Sequence, residues 1–380
     1  MMSQQSKKEI IESIRGRYIK ASKAEKQKIL DELTSTTGYN RKYAIRVLRH
    51  PKRSRGLKKA GRKKKYTQAA ISILETLWEM SGNICSKRLQ PYLTEWIRKL
   101  EECKEIILTA EVKAQLLSMS VATIDRSLQK VRCKTTQHGL CTTKPGSLLK
   151  RQIPVKIFTP WDEQRPGFME IDLVAHCGDS TAGVYLNTLT ATDLATGWTE
   201  CLALPNKTQT ATYEAIKLLR SLLPFQLLGL DSDNGSEFIN DLLFRYCLEK
   251  QITFTRSRPY HKNDQAHVEQ KNWSVVRHTV GYDRFESQAE LALLTSIYED
   301  LRLYVNFFQP VRKVIGKETV NQVTRKNYDT SRTPYQRVLE QADIAEAYKA
   351  HLTDQYNSLN PGHLRKSLEN KTARMLKIVR

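Results

Sequence analysis

At Gly167 the texture of the chain changes, and that change constrains the fold more than any other feature. Three short runs with alternating or clustered apolar residues, Phe168 to His176, Val184 to Thr190 and Trp198 to Leu204, follow one another across links too short to hold a helix. Two-residue periodicity with short links makes antiparallel strands. A helical stretch from about Thr208 to Leu222 then precedes a fourth apolar run, Leu227 to Leu230, and a helix around Phe238 to Glu249 leads to a fifth, Ile252 to Thr255. Strand, helix, strand is the pattern that parallel pairing requires. The expectation is an α/β core built on a mixed five-stranded sheet with helices on its faces, and a further helix starts near Gln265.

Ahead of Gly167 the spacing is helical. Residues 5 to 50 form three expected helices, the second opening at Ser22 with Glu25 three positions on, a capping box, and carrying Ile29, Leu30 and Leu33 on one face. Thr37-Gly38-Tyr39-Asn40 breaks it. Arg41 begins a third helix with Ala44, Val47 and Leu48 inward and Arg41, Lys42, Arg46 and Arg49 directed elsewhere. Helix, glycine-containing turn and basic helix is the order of a helix-turn-helix, with a small basic bundle as the alternative. Farther on, Ile71, Leu74, Leu77 and Trp78 mark one helix, and Leu93, Trp96, Ile97 and Leu100 mark another that Pro91 is expected to open. Ser120 is the expected N-cap of a helix with Ile124, Leu128 and Val131 buried and Thr123, Arg126 and Lys130 outward, a second helix-turn-helix candidate. After Glu290 the chain is mainly helical, with a polar stretch from Gly316 to Pro334 that suits a few short strands.

The expected organisation is multidomain: a helical module over 1–50, a basic linker over 51–66, a second helical module over 67–133, a connector over 134–165, the core over 166–290 and a mostly helical region over 291–380. Charge says what such a chain meets. Its formal net charge is +22 and its pI about 9.6, the balance of a protein that binds a polyanion. Between Pro51 and Lys65 stand nine Lys and Arg, including Lys63, Lys64 and Lys65, and no acid. That density repels itself unless phosphate neutralises it. The seven Cys are scattered without a C-x-x-C, which fits a reducing cytoplasm, and no apolar run is long enough for a bilayer.

Three carboxylates carry the chemical expectation. Asp172 stands mid-strand between Ile171 and Leu173, where an acid is costly to bury unless it is paired or binds a cation. Asp233 opens Asp233-Asn234-Gly235 at the carboxyl end of the fourth strand, where open sheets bind ligands, and Glu269 lies near the start of the late helix. Hard divalent ions take oxygen ligands and need few carboxylates, so three acids from separate elements suit a two-metal centre better than general acid–base work. Glu170 and Asp231 lie two positions from Asp172 and Asp233, share their strand faces and are alternative ligands. His176 and His267 are expected to be neighbours rather than ligands, because magnesium prefers oxygen. Trp198 and Trp273 fall at apolar positions and are expected in the core, with base stacking as the alternative, and Asp193 is expected in a turn.

The segment from Phe168 to about Arg284 resembles the catalytic core of the retroviral integrase superfamily, the D,D,E transposases with an RNase H-like fold. The likeness rests on Met169-Glu170-Ile171-Asp172, on Asp231-Ser232-Asp233-Asn234-Gly235-Ser236-Glu237-Phe238, and on Arg258-Pro259-Tyr260 leading to Glu269. Positions 234 to 268 make the 35-residue gap that is this family's hallmark. Tyr304 to Pro310 and Thr333-Pro334-Tyr335-Gln336-Arg337 are similar to the tail of bacterial insertion-sequence transposases. The resemblance implies that Asp172, Asp233 and Glu269 ligate two magnesium or manganese ions, and that the centre cuts DNA by water attack and joins the freed 3′-hydroxyl to target DNA. It also implies DNA contacts at Gln265, with Tyr260 and Lys262 just before it. Lys271 and Arg277 are expected phosphate contacts on the helix of Glu269, and Arg41, Lys42, Arg46 and Arg126 are expected contacts on the helical modules. Asp264 and Ala266 stand where the family commonly has a small hydroxyl and a glycine. The expected protein is a DNA transposase, an oligomer on element ends and target DNA, cytoplasmic and nucleoid-associated in a bacterium, with an accessory ATPase left open. A domesticated DNA-binding regulator with an inactive core is the alternative, and a nuclease without joining activity is a third.

Overall fold

The structure is a computed structural model that describes residues 2–50, 65–132, 165–258, 265–320 and 323–379. Lys63, Lys64, Tyr260 and Lys262 lie outside the described residues. Two units are distinguished, Met1–Lys65 and Tyr66–Arg380.

In the first unit α1 (Gln4–Lys20), α2 (Lys23–Thr37) and α3 (Arg41–Arg49) enclose Ile11, Tyr18, Ile29, Leu30, Leu33, Ala44 and Leu48. The Ser22–Glu25 capping box forms, and Gly38 ends α2 at φ +69°, a left-handed conformation that favours glycine. Asn40 then caps α3 by accepting the N–H of Lys42. Arg41, Lys42, Arg46 and Arg49 are all exposed, as the spacing predicts.

The second unit opens with α4 (Gln68–Met80), α5 (Ser86–Glu102), α6 (Ala110–Leu117) and α7 (Val121–Arg132). Pro91 does not open α5 but stands inside it. A proline there removes the N–H that would reach the carbonyl of Lys87. The hydroxyl of Ser331, 244 positions on, donates to that carbonyl at 3.3 Å, so the helix continues without leaving it unpaired.

The sheet follows as β1 (Phe168–Ala175), β2 (Asn187–Asp193), β3 (Thr199–Leu204), α8 (Gln209–Leu222), β4 (Gly229–Ser232), α9 (Asp241–Glu249) and β5 (Thr253–Arg256). Its order is β3-β2-β1-β4-β5. The first three strands are antiparallel, whereas β4 and β5 run parallel to β1. This is the mixed five-stranded sheet the sequence predicts. The second strand begins at Asn187 rather than Val184, because pairing with β1 stops at Ala175↔Asn187 and the N–H of Leu186 goes to the carbonyl of Phe285. Asp193 ends β2, and its carboxylate accepts the N–H groups of Gly167 and Thr196 across the turn.

Beyond the sheet come α10 (Ala266–Lys271), a π-helical stretch (Asn272–Arg277), α11 (His278–Val280) and the long α12 (Gln288–Phe308). The hairpin of β6 (Val314–Val320) and β7 (Val323–Tyr328), then α13 (Pro334–Leu339), α14 (Glu346–Ser358) and α15 (Pro361–Val379), complete a mainly helical C-terminal region. One hydrophobic core runs through this unit, joining Leu74 and Trp96 of the early helices to Met169 and Ile171 of β1 and to Phe307, Tyr356 and Leu368. The carbonyls of Met80 and Ser81, at the end of α4, accept from Tyr304 and Gln309. Among the described residues no helix is long and apolar enough to cross a membrane.

Candidate active site

The parallel pairing of β1 with β4 ends at Ile171↔Ser232. One step farther along each strand stand Asp172 and Asp233, so the register carries these two acids to adjacent positions where β4 gives way to a turn. Neighbouring strands lie about 4.8 Å apart, and residues opposite one another share a face. The turn is tight. Asp233 Oδ1 accepts the N–H of Gly235 at 2.8 Å, and a Cβ on Gly235 would meet Glu237 Cδ at 2.7 Å and Asp233 Oδ1 at 2.9 Å. A side chain there would have to displace one of the two carboxylates.

Glu269 stands on α10, which is tied to β1 on both sides of it. Before it, Glu170 Oε2 accepts the N–H groups of His267 and Val268, each at 3.0 Å. A carboxylate there satisfies two of the N–H groups a helix start leaves unpaired. After it, Asn272 Nδ2 donates to Asp172 Oδ2 at 2.7 Å. Between these two ties Glu269 is exposed on α10, near enough for its charge to act on Asp172.

The electrostatics follow from that arrangement. Burial, then the charges of Asp233 and Glu269, push the carboxyl of Asp172 up to about 7. Burial also raises Asp233, opposed by the Gly235 hydrogen bond and by Lys207, and burial with Asp233 raises Glu237. Among the described residues no group of three or more His, Cys, Asp or Glu side chains is arranged to hold a metal ion. The donor chemistry of the three acids, all carboxylate oxygens, suits a hard divalent cation, which would offset the burial of Asp172 and Asp233 and the repulsion that Glu269 adds.

The alternative acids are engaged elsewhere. Glu170 caps α10, and Asp231 Oδ1 accepts from the Thr255 hydroxyl at 2.6 Å. His176 is fully buried, its Nε2 paired with the Thr188 hydroxyl at 2.7 Å, and burial lowers its pKa to about 3. Trp198 is core, its indole N–H donating to Glu200. Trp273, expected in the core, is 63% exposed. The π-helical turn shifts the helical phase, so Val275 and Val276 are buried instead.

The expected DNA contacts divide. Arg126 is exposed on α7, and Lys65 is exposed. Gln265 is buried, with its amide donating to the carbonyl of Asp231 at 3.3 Å. Arg277 donates to the carbonyls of Ala175 at 2.8 Å and Gly281 at 3.2 Å, holding the π-helical stretch to the end of β1. Lys271, two residues past Glu269, points away from the acids and lines a cavity with Arg88. Sequence reasoning missed Asn272, Glu237, Lys207 and the capping role of Glu170. Only Glu170 and Glu237 carried a signal, as parts of the motifs around Asp172 and Asp233.

No family model matches the sequence. Uncharacterized protein y4rM of Sinorhizobium fredii (strain NBRC 101917 / NGR234) is 39% identical over 327 residues, which is 86% of this chain and 93% of that protein. The chain belongs to the y4rM family. Among solved structures, the catalytic core domain of BIV integrase in crystal form I is 17% identical with a TM-score of 0.31, covering 50% of this chain and 98% of that one. The HTLV-2 integrase catalytic core domain in complex with magnesium, in its dimeric form, is 15% identical with a TM-score of 0.31, covering 40% of this chain and 93% of that one. In this y4rM-family chain the sheet order and strand directions, rather than those overlaps, define the core.

Proposed function

We propose that this y4rM-family protein is a DNA transposase: a metal-dependent polynucleotidyl transferase that binds the ends of a mobile element, cuts there and joins the freed 3′-hydroxyl to target DNA. One observation supports the reading. Strand register brings Asp172 and Asp233 to adjacent positions, and Glu269 stands on a helix fixed to the same strand, near enough for its charge to raise the Asp172 carboxyl.

In this reading Asp172, Asp233 and Glu269 hold two magnesium or manganese ions. Bound there, such ions activate the attacking oxygen and stabilise the leaving 3′ oxygen of an in-line displacement at phosphorus. The chain's own residues orient. Glu170 and Asn272 fix the helix of Glu269 to β1, and Gly235 lets the turn at Asp233 pass close to Glu237. The exposed bases of α3, Arg41, Lys42 and Arg46, with Arg126 of α7 and the basic stretch ending at Lys65, supply phosphate contacts. Tyr260 and Lys262, in the segment before α10, are further proposed contacts. DNA is the partner, and two ends processed together call for at least a dimer on DNA.

Asp233→Asn tests the reading. With labelled element ends, magnesium and a supercoiled plasmid, the native protein should give nicked and joined products. The variant should bind the ends with unchanged affinity and fall by at least about 10²-fold in both products. Undiminished magnesium-dependent products from the variant would overturn the assignment.

A further inference from the structure

Behind the helix of Glu269 lies a partly open cavity of about 160 Å³, lined by α5, α10 with its π-helical extension, α11, α12 and α15. A water needs only about 10–15 Å³ by this measure. Its wall carries Arg88 from α5, Lys271 from α10, His278 from α11 and Arg365 from α15, against one carboxylate, Glu369. That carboxylate is already taken, because Arg365 Nε donates to Glu369 at 2.8 Å. Arg88 and Lys271 are both half-buried; Arg88 is hydrogen-bonded to the Cys85 side chain, and among the described residues Glu369 is the sole carboxylate on the cavity wall.

Two half-buried cations on the wall of one cavity, with Glu369 already paired, form an unfavourable arrangement. Each has lost hydration, and their mutual repulsion is stronger than it would be at an open surface. What resolves it is an anion small enough to enter. We propose that this cavity is a binding site for a phosphate-class oxyanion, held between the guanidinium of Arg88 and the ammonium of Lys271. Arg88 offers a planar fork that matches two oxygens of a tetrahedral anion, and Lys271 a point charge for a third. The Ser274 hydroxyl lines the same wall as a neutral donor. An oxyanion bound there would join the catalytic helix to α5.

The same chemistry comes from free phosphate or from a DNA backbone phosphate, and two arms on the full-length protein separate them. In the first, melting and calorimetric titration at fixed ionic strength replace chloride by inorganic phosphate. The native protein should gain melting temperature, and Arg88→Gln and Lys271→Gln should each weaken phosphate at least about tenfold, the loss of one charged hydrogen bond. In chloride alone both variants should melt no lower than the native protein, since each removes a repulsion; this shows them folded. In the second arm a DNA duplex is bound with and without phosphate. If the anion belongs to DNA, phosphate competes with the duplex, and Lys271→Gln reduces the salt slope of binding by about one. If it is free phosphate, duplex affinity is unchanged by either. A response to phosphate that is no larger than to chloride, or equal in native protein and variants, would overturn the site. Neither arm reads catalysis, so this outcome is distinct from the fate of the transposase reading.

Discussion

Asp172 is held by the fold against its own ionisation, and that has a measurable sign. Its carboxyl rises from 3.8 to about 7 because it is buried and faces Asp233 and Glu269. The folded state therefore binds this proton more tightly than the unfolded chain. The stabilisation it brings is complete below about pH 4 and is lost as pH rises through about 7. Asp172→Asn should abolish cleavage yet, in chelator at pH 8, be more stable than the native protein by about 1–4 kcal/mol, an advantage that shrinks towards pH 5. Magnesium should restore the native protein and leave the variant unmoved. Equal denaturation midpoints at pH 8 in chelator would show that the carboxylates do not strain one another. The same residue shows what the sequence discloses. Its position between two apolar neighbours marked it as an unusual acid, whereas its bond to Asn272, 100 positions away, had no local sign. Lys271 and Arg277 share a helix with Glu269, and only packing tells that one lines a cavity and the other holds carbonyls.

At the scale of elements, α10 is short, and its placement depends on what holds its ends. Glu170 accepts two N–H groups at its start. Glu170→Ala should cost about 1–2 kcal/mol, speed exchange of the His267 and Val268 amides and raise the magnesium concentration needed for cleavage. Glu170→Gln, which keeps an acceptor oxygen, should recover part of each; protected amides in the alanine variant would remove the capping role. The sheet was legible because alternation and strand–helix–strand order are local properties. The limits of β2 and the position of Pro91 were not, because each depends on distant partners, Phe285 in one case and Ser331 in the other. Ser331→Ala should cost about 1 kcal/mol by leaving the Lys87 carbonyl unpaired. Pro91→Ala returns an N–H to that carbonyl, so in the double variant the loss of Ser331 should cost measurably less. Strict additivity in chemical denaturation would mean that Ser331 does not stand in for the missing donor.

Across the whole molecule the early helices and the sheet share one core, although a stretch of more than thirty residues separates them in sequence. Charge and motif made separate modules the natural expectation. The pairing of Leu74 and Trp96 with the interior built by Met169, Phe307 and Tyr356 is a long-range property with no periodicity of its own. All five tryptophans fall after residue 65, and the first unit contains none. Tryptophan fluorescence, selectively excited, therefore reports only the second unit, whereas circular dichroism reports both. Trp78 and Trp96 sit on α4 and α5, and Trp198 borders β3. Proteins retaining only one of these indoles, the others changed to phenylalanine, should each unfold in a single transition, cooperative because the indoles occupy one packed interior. Since the phenylalanine substitutions themselves shift stability, each midpoint is compared with the sheet-region amide exchange of the same variant. The first unit, with seven buried apolar side chains among its described residues, should lose its helical signal separately and at lower denaturant. If Trp78 or Trp96 lost its buried emission while the sheet amides stayed protected, the helices would form an independent module and the shared core would be disproved.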